Sequence, residues 1–235
     1  MVERTAHGHQ RFSAVTSARG DSSGNREVKA ENRRRQPFPA LPYDPMKTPV
    51  LNLTLERLPT PIGELLVLND EQQRLRAVDW SDYETRMQRL LRLHYGASGY
   101  ALVESTAASD NYRRLAAYFS GELSAIDALI VATGGTPIQR SVWAALRDIP
   151  AGRTISYGAL ATQIGRAKAV RAVGLANGSN PIGIVVPCHR VIGADASLTG
   201  YGGGIERKRW LLEHERVPLP VARRGRASSP AEGAF

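Results

Sequence analysis

Cys188 is the only cysteine in 235 residues, and it stands in the run Pro187-Cys188-His189-Arg190-Val191. A lone cysteine is most often a small, inert core residue, but three neighbours argue for a nucleophile. The apolar run 182–186 reads as a buried strand or extended segment that would present the thiol at a pocket wall. Pro187 fixes φ and removes a donor, which stiffens the approach. His189 and Arg190 follow directly, and cationic neighbours depress a thiol's pKa and raise its thiolate fraction.

Adjacent side chains on an extended backbone point to opposite faces. His189 therefore does not reach the thiol directly, and a proton relay needs an intervening water or a bend after Cys188. His189 also needs a group to fix its tautomer. The Glu213-His214-Glu215 end of a helix predicted over 205–214 offers a carboxylate. Between the two lies Thr199-Gly200-Tyr201-Gly202-Gly203-Gly204, a glycine-rich loop suited to a pocket lid, with free backbone amides and one ring able to stack on a ligand.

Two short helices are predicted just upstream, over 157–164 and from 167 to about 177, broken at Gly165; the pair matches a helix-turn-helix. The second combines Arg166, Lys168 and Arg171 with Ala169, Ala172, Gly174 and Ala176. A small-residue cationic helix can approach a nucleic-acid groove closely. A further helix opens at Thr136-Pro137, Thr as N-cap and Pro in the first turn, and stops at Ile149-Pro150-Ala151-Gly152. In the first half, 50–58 alternates in period two, Thr60-Pro61-Ile62-Gly63 is a turn, and 64–68 and 74–80 supply two more strands of an antiparallel meander. Asp82 is expected to cap a helix running to His94, and 111–119 forms another. No catalytic constellation is visible in this half, which reads as a scaffold.

The expected fold class is α+β: a small N-terminal antiparallel sheet with helices, then a mostly helical, winged-helix-like domain holding the helix-turn-helix. The expected divisions are a disordered basic extension at 1–47, a scaffold domain at 48–132, a second domain at 133–217 and a disordered tail at 218–235. The terminal stretches are too polar to offset the entropy of ordering them. The net charge is +9, and residues 153–216 hold 9 basic against 4 acidic side chains, which points to a polyanion-binding face there. No apolar run approaches the ~18 residues of a membrane span, and no secretory signal is visible in the first residues. One cysteine makes neither an internal disulfide nor a multi-cysteine zinc site, so the expected compartment is the cytoplasm, with no membrane partner. The same residues also admit a thiol hydrolase, which would need the direct Cys–His contact that the spacing disfavours, and a DNA-binding regulator without enzymatic activity.

Five motifs in order carry a family resemblance: Ile155-Ser156-Tyr157, Val170-Arg171-Ala172-Val173-Gly174, Ser179-Asn180-Pro181, Pro187-Cys188-His189-Arg190-Val191 and Trp210-Leu211-Leu212-Glu213-His214-Glu215. Together they resemble the O6-alkylguanine-DNA alkyltransferases (methylated-DNA–protein-cysteine methyltransferases) over roughly 48–217, most densely over 135–215. Gly178-Ser179-Asn180-Pro181 and Val191-Ile192-Gly193 bring the bacterial type nearest. The resemblance implies single-turnover repair: Cys188 takes the alkyl group from O6-alkylguanine, and O4-alkylthymine, in double-stranded DNA. It implies that His189 deprotonates Cys188 through a water, Glu215 polarises His189, Asn180 braces the active-site turn and Tyr157 donates to guanine N3. Arg171 would fill the gap left by the flipped base, with Ala172, Gly174 and Lys168 on the DNA face. Tyr201 and Gly202 would line the base pocket, and the carbonyls of Cys188 and Val191 would read the guanine amino group. Some relatives carry a serine after the loop tyrosine, where this chain has Gly202; others bind zinc through N-terminal cysteines that this chain lacks. No metal and no cofactor are expected, and the protein is expected to act as a monomer.

Overall fold

Leu53 and Leu55 are buried on one face of the first strand, β1 (Leu51–Thr60), and Leu58 on the other. In the computed structural model, which describes residues 50–219, a Pro61-Ile62 loop returns β1 into β2 (Gly63–Asp70), and β3 (Leu75–Trp80) completes the meander. Gly63 sits in this hairpin at φ +124, a conformation few other residues adopt. The extension predicted at 1–47 and nearly all of the predicted tail lie outside the described residues.

The antiparallel meander matches expectation, and a fourth strand was not foreseen. β4 (Tyr100–Glu104) runs parallel to β1, so the sheet is mixed, in the order β3-β2-β1-β4. This strand is an edge strand with no buried residue, so it lacks the buried alternation that betrays a strand in sequence. Residues 65–70 and all of β3 are buried, because both faces of the sheet are covered. Leu66, Leu68 and Ala77 pack on Met87 and Leu91 of α1 (Glu84–Tyr95). On the other face Leu65, Val67, Val78 and Trp80 join Leu115 and Tyr118 of α2 (Asp110–Phe119) and the helices that follow, in one large core.

Asp82 does not cap α1. Ser81–Tyr83 form a 3-10 turn, Tyr83 takes the N-cap position without a side-chain bond, and Asp82 accepts from Arg207 Nη1 at 2.9 Å. The Thr136 cap is as expected: α3 (Pro137–Arg147) starts in a reciprocal box in which Thr136 N donates to Gln139 Oε1 and Gln139 N donates to Thr136 Oγ1. β5 (Ile155–Ser156) leads into α4 (Tyr157–Gln163) and pairs in parallel with β6 (Val191–Ile192). α5 (Val170–Gly178) begins later than predicted, because Gly165 at φ +71 and a turn from Arg166 to Ala169 intervene; Lys168 therefore lies in the connecting turn. α6 (Ile205–His214) has the predicted bounds. No helix among the described residues is long and apolar enough to cross a membrane.

The apolar run 182–186 is buried but is no strand. Val186 N donates back to Ile182 O, Ile184 sits at φ +69, and the turn is stapled to β3 by Val78 N to Pro181 O and Gly183 N to Val78 O. Periodicity cannot separate such a turn from a strand in a short apolar run.

Candidate active site

Asn180 builds the turn that delivers Cys188. Its Nδ2 donates to Val186 O at 2.7 Å and its Oδ1 accepts from Ile182 N at 3.0 Å. The chain then bends at once: Cys188–Arg190 form a 3-10 turn after Pro187. The expected extended backbone is thus replaced by a bend, and His189 points away to α6. His189 Nε2 lies 2.9 Å from Glu215 Oε1. Burial pushes the imidazole's pKa down against the opposing pull of Glu215, so the ring is neutral, with its proton on Nε2 facing the carboxylate. Its Nδ1 is buried and has no hydrogen-bond partner among the described residues.

Glu215, not the exposed Glu213, is the orienting carboxylate. It accepts from Arg190 Nε at 2.9 Å, Arg190 Nη2 at 2.7 Å and Tyr118 Oη at 2.8 Å as well as facing His189. Burial works to raise its pKa, but His189 and Arg190 prevail and hold the carboxyl well below the usual range. Arg190 also donates to Ile149 O.

The expected depression of the thiol by its sequence neighbours is not found. Arg190 is committed to Glu215 and His189 is neutral, so burial dominates and pushes the Cys188 thiol up. The groups that favour its thiolate come from elsewhere: a hydrogen bond from Asn180, then the charges of Arg86 on α1 and Lys208 on α6, with Asp79 opposing. The resting residue is therefore a protonated thiol. Lys208 is fully buried; its Nζ donates to Val191 O and to Thr199 O, and desolvation lowers its pKa to about 8.

Cys188, Asn180, Tyr201 and Gly202 line one cavity, together with Asp79, Trp80 and Arg86 from the first half of the chain. Its volume is about 10 Å³, room for a single water. Tyr201 is a neutral phenol, its pKa raised by burial, and its ring meets His189 edge-on at 6.4 Å. Tyr157 sits at the lid, its hydroxyl donating weakly to Thr199 O and Gly200 O at 3.4 Å; burial raises its pKa too. The Val191 side chain is in the core, and the two carbonyls assigned to base recognition already accept bonds, Val191 O from Lys208 and Cys188 O from Asn177 Nδ2 at 3.4 Å.

Arg171 is exposed on the outer face of α5, and Ala172 and Gly174 are half-buried beside it. A Cβ at Gly174 would meet the Tyr157 ring at 3.9 Å, an ordinary van der Waals contact, so α5 passes directly beside that ring. Sequence reasoning missed Leu175, 71% exposed one turn beyond Arg171. It also missed Tyr118, Asp79, Trp80 and Arg86, which read as ordinary members of a scaffold; nothing local to Arg86 signals a partner at Gly178, 92 residues away.

Residues 137–217 match the family described as 6-O-methylguanine DNA methyltransferase, DNA binding domain, and residues 55–133 match 6-O-methylguanine DNA methyltransferase, ribonuclease-like domain. A Salmonella typhimurium protein named methylated-DNA–protein-cysteine methyltransferase is 56% identical over 166 residues, covering 71% of this chain and 97% of that one. Among solved structures, Mycobacterium tuberculosis O6-methylguanine methyltransferase superposes with a TM-score of 0.56 at 40% identity, covering 72% of this chain and 95% of that one. A structure of the M. tuberculosis protein in complex with DNA gives the same TM-score and identity, over 69% and 93%.

Proposed function

Since this chain belongs to the 6-O-methylguanine DNA methyltransferase family, we propose that Cys188 is its alkyl acceptor, used once. The activity is alkyl transfer from methylated DNA to a cysteine of the protein itself, in direct-reversal DNA repair. The observation that carries the assignment to Cys188 is the buried His189, held by Glu215 through one ring nitrogen and with the other free, in the same turn as a thiol that lines a cavity.

The reaction balances without a cofactor. The thiol gives its proton to His189 Nδ1 through a water, and the sulfur attacks the alkyl carbon. The S–C bond forms as the C–O6 bond breaks, and the leaving guanine takes up one proton. Glu215 stabilises the imidazolium that forms. Tyr157, kept neutral by burial, donates to N3 of the leaving base. No group in the site cleaves a thioether, so one chain repairs one lesion. Asn180 braces the turn. The same site takes O4-alkylthymine.

The O6 substituent inside a duplex is closed to in-line attack, so the base is flipped. Arg171 fills the gap, and Ala172, Gly174 and Lys168, with Leu175 as an apolar contact, form the face laid in the minor groove. A 10 Å³ cavity does not admit a purine, so entry requires the lid around Tyr201 and Gly202 to move outward, with the neighbouring glycines as hinges. We assign residues 48–132 to a scaffold domain and 133–217 to the DNA-binding and acceptor domain, and take the protein to act as a cytoplasmic monomer. Mixing excess O6-methylguanine duplex with a known amount of protein tests the reading: repair stops at one lesion per chain. Continued turnover contradicts it and favours the hydrolase.

A further inference from the structure

We propose that Arg86 is a positioning residue for Cys188: a guanidinium from the first half of the chain that clamps the turn carrying the acceptor and supplies the lasting positive charge beside its sulfur. This rests on the acceptor reading of Cys188 and adds a component that the C-terminal motifs do not contain.

Trp80 ends β3, and the 3-10 turn that follows aims the first turn of α1 at the end of α5. Arg86 Nη1 pairs with the buried Asp79, while Nη2 donates to Gly178 O at 2.9 Å and Asn180 O at 3.1 Å. These carbonyls flank Ser179, at the start of the segment that Asn180 folds into the Cys188 turn. One side chain thus links β3, the end of α5 and the acceptor loop. On its other side the guanidinium lies against the lid. A Cβ at Gly202 would be 2.6 Å from Arg86 Cζ, so the arginine fills the space that a residue 202 side chain would take.

The charged and titratable groups around the sulfur are few. Lys208 and Arg86 are cationic, Asp79 is anionic, Tyr157 and Tyr201 are neutral phenols and His189 is neutral. Lys208 loses its charge from about pH 8 upward. A guanidinium stays charged throughout, and in a site largely closed to water its field on a thiolate is weakly screened. Asp79 offsets part of that field but anchors the guanidinium, so the arrangement favours position over raw charge.

The test is the pH dependence of Cys188 alkylation by iodoacetamide, alongside benzyl transfer from free O6-benzylguanine, for the full chain and for Arg86→Gln and Arg86→Lys. Arg86→Gln should raise the midpoint by about one pH unit and slow transfer near neutral pH about tenfold, the cost of a tenfold smaller thiolate fraction. Arg86→Lys should hold the midpoint but slow transfer several-fold, because an ammonium does not span Asp79 and both carbonyls. An unchanged midpoint in a folded Arg86→Gln overturns the proposal. Should Arg86→Gln not fold, Arg86→Lys decides: transfer at the wild-type rate overturns the clamp, and a midpoint raised by a full unit overturns the charge role. Wild-type protein that reacts with iodoacetamide yet takes nothing from the free base or the duplex would instead defeat the acceptor reading, and the Arg86 effect on the midpoint would still be measured.

Discussion

The Glu215 cluster and the outer face of α5, which precedes the acceptor loop in the chain, are built on opposite terms. Around Glu215 every partner is buried, and a single carboxylate serves His189, Arg190 and Tyr118. On α5 the residues assigned to DNA are exposed or half-buried; Arg171 and Leu175 face outward, with small residues beside them. Buried charge couples chemistry to stability, since removing one member strands the others. An exposed face can be changed without unfolding the chain. The interior should therefore lose both properties together, and the surface should lose only its use of duplex DNA.

The largest expected effect is on stability. Glu215→Gln leaves Arg190 buried without its counter-charge and should cost about 3–5 kcal/mol, read by urea unfolding at neutral pH. A loss below about 1 kcal/mol would break the contrast. The same variant sharpens it in acid. The Glu215 pKa lies below its ordinary 4.5, so the folded chain releases this proton more readily than the unfolded one. Its contribution is complete above pH 4.5 and fades as pH falls below it. The gap between wild type and variant should narrow over that range; a constant gap would mean that packing, not charge, sets it.

Next comes Arg171→Ala. Stability should stay within about 0.5 kcal/mol of wild type, while transfer from duplex drops at least tenfold and transfer from free O6-benzylguanine is unchanged. Equal losses on both substrates would remove the flipping role. Gly202→Ser probes the boundary between the regions. Its side chain collides with Arg86, so it should raise the Cys188 midpoint as Arg86→Gln does, and adding Arg86→Ala should make matters no worse. Additive losses would separate the two residues. The smallest effect belongs to Lys168→Ala in the exposed turn, which should reduce the salt dependence of duplex binding by about one counterion in the log–log slope.

The contrast also explains what was legible in the sequence. The meander showed itself because Leu53 and Leu55 alternate with polar neighbours, and the α3 start because Thr136, Pro137 and Gln139 make a local cap. The pairing of His189 with Glu215, next in the chain to Cys188, was legible from its motifs. The Asn180 turn was not, because its bonds run from a side chain to backbone groups of an apolar run that reads equally well as a strand. β4 was hidden by its exposure. Arg86 was hidden because its partners lie in another part of the chain, and an arginine on an amphipathic helix looks like a solvated face until the fold brings Gly178 to it. The source of the thiol's favourable field was misread for the same reason: adjacency in sequence put His189 and Arg190 forward, and the 3-10 bend turned both toward Glu215.

The most direct check on the central claim is a peptide mass map after reaction with O6-methylguanine duplex. One methyl group per chain is expected, on the peptide containing Cys188, with none gained by Cys188→Ala although that variant still binds the duplex. Methyl on any other residue, or repaired DNA with Cys188 unmodified, would contradict it.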